Sequence, residues 1–158
     1  FTSRLGEEVR EKRGLAYGIG VGLSPSRAGS VLLGRTATRS GAVAETVAII
    51  RDEWQRMAEN EPTAAELDDA KTYLIGSFPL SLDSTGSIAA VLVQMQIFDL
   101  GMDYWSARPA LFDAVDLESA RRVAKRLLTP DALLLVVVGS PDGITPTLEA
   151  PVQDPISN

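Results

Sequence analysis

A chain of 158 residues with 45% hydrophobic composition can bury one sizeable core and is too short for two comfortable domains, so a single globular unit is expected. A net charge of −6, with no gathering of the 15 basic residues on one face, excludes nucleic acid as a partner. No apolar run approaches the ~20 residues of a membrane span, and histidine and cysteine both number 0; membrane insertion, Ser–His or Cys–His catalysis and ordinary zinc ligation are thereby excluded for this chain.

Ser3 to Arg13 predicts a short helix, with Leu5 and Val9 on one side, Glu8 paired to Lys12 one turn on, and Gly14 as its stop. A strand follows. Leu15, Tyr17, Ile19, Val21 and Leu23 alternate with Ala16, Gly18, Gly20 and Gly22, one bulky face against one nearly bare. Turn chemistry over Ser24 to Gly29 and a second extended run, Val31 to Thr38, predict an antiparallel hairpin.

From Ser40 the period becomes helical. Val43, Val47, Ile50, Trp54 and Met57 share a stripe that ends before Pro62. Thr63 and Glu66 form a capping box for a helix carrying Leu67, Ala70, Leu74 and Phe78 to Pro79. After the Ser81 to Ser87 break, a further helix turns Ile88, Val91, Leu92, Met95 and Phe98 inward, is stopped by Gly101, and is expected to hold most of the core. A short helix over Trp105 to Ala114 and one capped by Asp116, with Leu117, Ala120, Val123 and Leu127, precede Pro130. Leu133 to Val138 reads as a buried strand, and residues 141–158 as a tail on the domain formed by residues 1–140. The class is α+β: an antiparallel or mixed sheet with helices packed on one face.

The glycines lie inside a strand that follows a helix, the reverse of a phosphate loop. They let another backbone come close, in the first instance a helix of this domain and otherwise a bound peptide. Tyr17, taken alone, is a core tyrosine, and Arg10 a solvated helix charge. Together, the tight Gly14 turn brings them to one edge, where two donors that are not bases can grip a peptide carbonyl and favour negative charge on it. The acidic neighbours Asp68/Asp69 and Glu7/Glu8 point in different directions on their helices and are surface charges. Trp54, Met57 and Met95 are packing residues. Tyr104 and Trp105 cover a core edge or mark a subunit contact.

Ser3-Arg4-Leu5 and Arg10-Glu11-Lys12-Arg13-Gly14-Leu15-Ala16-Tyr17 resemble the segment opening the later part of the second domain in the pitrilysin, insulinase and mitochondrial processing peptidase group of zinc peptidases, the inverzincins. There an arginine stands seven positions before the tyrosine, which carries over to Arg10 and Tyr17. The helix beginning Thr63-Ala64-Ala65-Glu66-Leu67, the Ser81-Leu82-Asp83-Ser84 break and the closing Leu134, Val136, Val137, Val138 and Gly139 are similar in order and spacing.

The resemblance implies a LuxS/processing-peptidase-like domain of the metallopeptidase type, the non-zinc "inactive" partner of a domain that holds zinc through His-x-x-Glu-His and a distant glutamate. It implies no catalytic or metal residue in this chain, with zinc in the partner domain and Arg10 and Tyr17 as substrate-binding residues. The implied partners are a peptide substrate and a homologous domain or subunit carrying the zinc motif, in a dimeric full-length assembly. It also implies that the chain begins midway through its domain, Phe1 being a cut or a limit of ordered structure. A soluble protein of a bacterial-type cytoplasm or periplasm is expected. Two other functions remain open at this level: a non-catalytic scaffold subunit related to processing peptidases, and a stand-alone peptide-binding module.

Overall fold

The computed structural model of the chain describes residues 3–59 and 62–148. A π-helix over Gly6–Glu11 leads into strands β1 (Ala16–Ser24) and β2 (Val31–Thr38). A 3-10 turn at Ser40–Ala42 opens α1 (Val43–Glu59), and α2 (Ala64–Leu80), α3 (Thr85–Ile97), α4 (Tyr104–Asp113) and α5 (Leu117–Leu127) follow. The two strands pair as one antiparallel sheet, and the fold is α+β.

The helix boundaries follow from local chemistry. Thr63 and Glu66 close a reciprocal capping box on α2, the Thr63 hydroxyl accepting from Glu66 N at 3.2 Å and the Glu66 carboxylate from Thr63 N at 2.8 Å. Ser84 and Ser87 do the same for α3, and the Asp116 carboxylate accepts from Ser119 N at 2.7 Å to start α5. That hydrogen bond, more than any neighbouring charge, lowers the Asp116 pKa. Helix α2 runs through Pro79 by one residue rather than stopping there.

The chain forms two compact units. The first comprises the described parts of residues 1–20, 35–50 and 135–158. Its centre is Val9, Leu15, Ala16 and Ala42, against which Ile19 and Ile49 pack. Polar groups here are satisfied internally: the buried Thr46 hydroxyl donates to Ala42 O at 2.8 Å, Thr38 Oγ1 to Leu15 O at 2.6 Å, and Asp142 N to Ser40 O at 3.2 Å. The second comprises residues 21–34 and 51–134. In it α2 packs on α4 and α5, Lys71 Nζ reaches Asp113 O at 2.9 Å, and Arg108 Nη1 reaches Leu74 O at 2.8 Å.

Several expectations are corrected. The core does not lie mainly on the Ile88 to Phe98 helix: Met95 is its buried residue, while Leu92, Val93 and Ile97 are exposed. Leu133 to Val138 is neither buried nor paired as a strand among the described residues; Val136 and Val138 are 80% and 95% exposed. A continuous apolar run buries only where other layers cover both faces, and the described residues supply no adjacent strand. Among the described residues no helix covers the bare face of β1, since a Cβ added at Gly18, Gly20 or Gly22 meets nothing within 4 Å. Of the predicted tail, residues 149–158 lie outside the described residues, as does Phe1.

Candidate functional site

The residues singled out by the sequence, Arg10 and Tyr17, both belong to the first unit, at the junction of the π-helix and β1. Ser3 starts this junction, its hydroxyl accepting from Gly6 N at 3.1 Å. The helix then widens. Lys12 N donates to Glu7 O at 2.9 Å, five residues back, so one extra residue is carried per turn. The exit keeps this wider register: Gly14 N bonds Arg10 O at 3.0 Å and Leu15 N bonds Val9 O at 2.9 Å, a nested pair resembling a Schellman close one residue broader than usual. Gly14 takes φ +59°, the left-handed conformation that such a close demands.

This geometry fixes both side chains. Val9, fully buried, anchors the helix, while its neighbour Arg10 keeps 34% of its side chain exposed. Reversal at Gly14 sends the chain back along β1, and the Arg10 guanidinium carbon comes to lie 5.7 Å from the centre of the Tyr17 ring. That is within cation–π range. Arg10 Nε also meets Glu11 Oε1 at 3.4 Å.

The core reading of Tyr17 is overturned: its side chain is 94% exposed. Leu15 and Ala16 are both buried at the start of β1, so strict alternation does not govern the entry to the strand. Burial there is set by the helix and α1 packing around the turn, not by the sheet alone. Exposure leaves the phenol free to meet a ligand, with the guanidinium beside it.

The acidic pair beside the site has the structural role expected of it. Glu8 accepts from Arg13 Nη1, and from Lys12 Nζ at 2.7 Å, while Lys12 also reaches Glu7 at 3.0 Å. The Arg13 hydrogen bond, then that of Lys12, holds the Glu8 pKa down at about 2, and Glu8 in turn raises that of Lys12. A carboxylate so held is a poor proton acceptor near neutral pH and acts instead to brace the helix exit. Among the described residues no group of three or more histidine, cysteine, aspartate or glutamate side chains is arranged to hold a metal ion, so these residues do not fit a zinc site. Nor is any helix among them long and apolar enough to cross a membrane.

A second cluster, unmarked by any sequence pattern, lies in the second unit. There Arg108 stacks on Phe78 and Phe112, its guanidinium carbon 4.1 Å and 4.5 Å from their centres, and Trp105 meets Phe78 edge-on at 5.7 Å. Arg108 and Phe112 are one turn apart on α4, and tertiary packing brings Phe78 of α2 to them.

Comparison with known proteins gives a consistent set of relatives. The family described as the peptidase M16 inactive domain matches residues 1–74, which span the π-helix, the hairpin, α1 and the first part of α2. A Helicobacter pylori protein named as a non-peptidase homolog is 33% identical over 87 residues, covering 55% of this chain and 20% of that protein. An uncharacterized zinc protease of Streptomyces coelicolor is 40% identical over 89 residues, covering 56% of this chain and 19% of that protein. The chain thus spans about a fifth of the length of these curated relatives. The crystal structure of a peptidase M16 inactive domain from Pseudomonas fluorescens matches at a TM-score of 0.70 and 32% identity, covering 82% of this chain and 31% of that one.

Proposed function

This chain belongs to the peptidase M16 family as its second, inactive domain, and from that premise we propose that it positions peptide substrate through Arg10 and Tyr17 for hydrolysis at a zinc site carried by a homologous domain or subunit. The observation carrying this reading is the juxtaposition of the Arg10 guanidinium and an almost fully exposed Tyr17 ring across the Gly14 turn. A tyrosine and an arginine held together at a surface, with no base between them, suit a carbonyl oxygen that gains charge.

In this reading the zinc-bearing domain supplies the metal chemistry, and this chain's part is narrower. The Tyr17 hydroxyl donates a hydrogen bond to a peptide carbonyl oxygen, and the Arg10 guanidinium, steadied by the ring beneath it and by Glu11, adds positive charge at the same edge. Peptide held in extended form, in a dimeric assembly of homologous domains, is the substrate and setting this implies. The test is cleavage of an unstructured peptide by the complete zinc-bearing assembly with Arg10→Ala and Tyr17→Phe combined. A loss of roughly a hundredfold or more in kcat/KM is expected, following the cost of removing a charge-stabilising donor, and unchanged cleavage overturns the reading.

A second reading, a non-catalytic partner subunit, is favoured by one observation: a relative 33% identical to this chain carries the name non-peptidase homolog. In that case the same double variant leaves peptide cleavage by the assembly intact, and deletion of the chain lowers the stability of its partner.

A further inference from the structure

The second unit holds an open depression of about 340 Å³ lined by α2, α3, α4 and Pro25, near the lower end of the ~300–1,000 Å³ typical of small-ligand pockets. Its walls are mainly apolar, with Phe78, Met95 and Phe98 among them, and its polar groups are few: Gln94, Tyr104 and Arg108. Arg108 is the unusual member. Its Nη1 donates to Leu74 O at 2.8 Å, and its guanidinium carbon lies over two phenylalanine rings, those of Phe78 and Phe112. Among the described residues it has no carboxylate partner, and its Nε and Nη2 donors make no hydrogen bond.

A purely structural role accounts for one nitrogen. Pro79 leaves the carbonyl of Ile75, four residues back, without its helical donor, and Nη1 binds the neighbouring carbonyl, that of Leu74. It does not account for a fixed guanidinium that borders an apolar cavity with two donors to spare. Contact with both rings and the bond to Leu74 O restrict the rotamer freedom that a surface arginine would lose on binding an anion, so the fork is partly preorganised.

We propose that this cavity binds a small apolar carboxylate, its acid group on Nε and Nη2 of Arg108 and its hydrocarbon part against Phe78, Met95 and Phe98. The size admits one hydrophobic amino-acid residue at a peptide's carboxyl terminus, or a short aliphatic acid; both present the same chemistry. The site uses none of the residues of the Arg10–Tyr17 pair, so it stands or falls separately from the function proposed above.

The experiment is calorimetric titration of the intact protein with N-acetyl-phenylalanine, N-acetyl-phenylalanine amide and octanoate, with Trp105 fluorescence as a second readout. The acid binds at least about tenfold more tightly than its amide, as a charge-assisted pair predicts, and Arg108→Gln abolishes that preference. Tighter binding of octanoate than of N-acetyl-phenylalanine identifies a free aliphatic acid as the ligand, and the reverse order identifies a peptide terminus. Equal binding of acid and amide to the unsubstituted protein, or binding of neither acid, overturns the proposal without reliance on the variant's folding.

Discussion

Replacing Gly14 by alanine isolates the element on which the Arg10–Tyr17 geometry depends. At φ +59° an L-residue pays roughly 1–2 kcal/mol for its Cβ–carbonyl contact. The added Cβ meets nothing within 4 Å, so no clash adds to that cost. Alanine also restricts the unfolded chain, which returns roughly 0.4–1 kcal/mol. The net loss is therefore about 1 kcal/mol, and with a urea dependence of ~1–3 kcal/mol per molar the unfolding midpoint falls by roughly 0.3–1 M at an unchanged slope. Asparagine, which tolerates the left-handed region, costs less than alanine at this position. Gly20→Ala is the control: its Cβ also points into open space but its φ is ordinary, so the change stays within ~0.5 kcal/mol or stabilises. Urea denaturation of the three variants decides the matter. A neutral Gly14→Ala, or asparagine as damaging as alanine, refutes the claim that backbone handedness at Gly14 sets this turn.

Acid titration gives a second check. Glu8 has its pKa lowered from 4.5 to about 2 in the folded protein, so its pairing contributes fully above pH 4.5 and is lost as pH falls toward 2. Arg13→Gln removes the largest cause and moves the Glu8 midpoint upward toward 4.5, read by NMR of the carboxyl carbon. Lys12 behaves oppositely: its raised pKa stabilises below 10.5 and that contribution disappears as pH climbs beyond it. Thr63→Ala breaks the capping box of α2 and costs about 1 kcal/mol in chemical denaturation, with Thr63→Asn close to neutral. Arg56→Ala strips the partner, 2.5 Å away, from the 6%-exposed Glu53 side chain and costs roughly 1–3 kcal/mol, most of which Glu53→Gln in the same background restores.

What the sequence disclosed was what short-range chemistry controls. Thr63 and Glu66, Asp116, and Gly14 announce helix ends because caps and left-handed turns are decided within a few residues, and all of them appear where they were predicted. The β1–β2 hairpin was equally plain from its alternation and its Ser24 to Gly29 turn. Burial was another matter. Tyr17 shares an apolar row with Val21 and Leu23, and all three are exposed, because alternation marks a face without showing what covers it. Leu133 to Val138 has the composition of an inner strand, but composition does not furnish a neighbour to pair with. The π-register of Gly6–Glu11 has no signature in residue type, although it is the widened turn that sets where Arg10 stands. The Arg108 cluster combines a one-turn pair on α4, Arg108 with Phe112, and contacts to Phe78 and Leu74 of α2 that follow only from helix packing.

The most direct measurement is a double-mutant cycle on peptide hydrolysis by the complete assembly, comparing Arg10→Lys, Tyr17→Phe and the pair. If the two side chains grip one carbonyl, each single variant lowers kcat more than it raises KM, and the double variant loses less than the product of the two single losses. Fully multiplicative effects, or rates equal to those of the unsubstituted assembly, contradict the account.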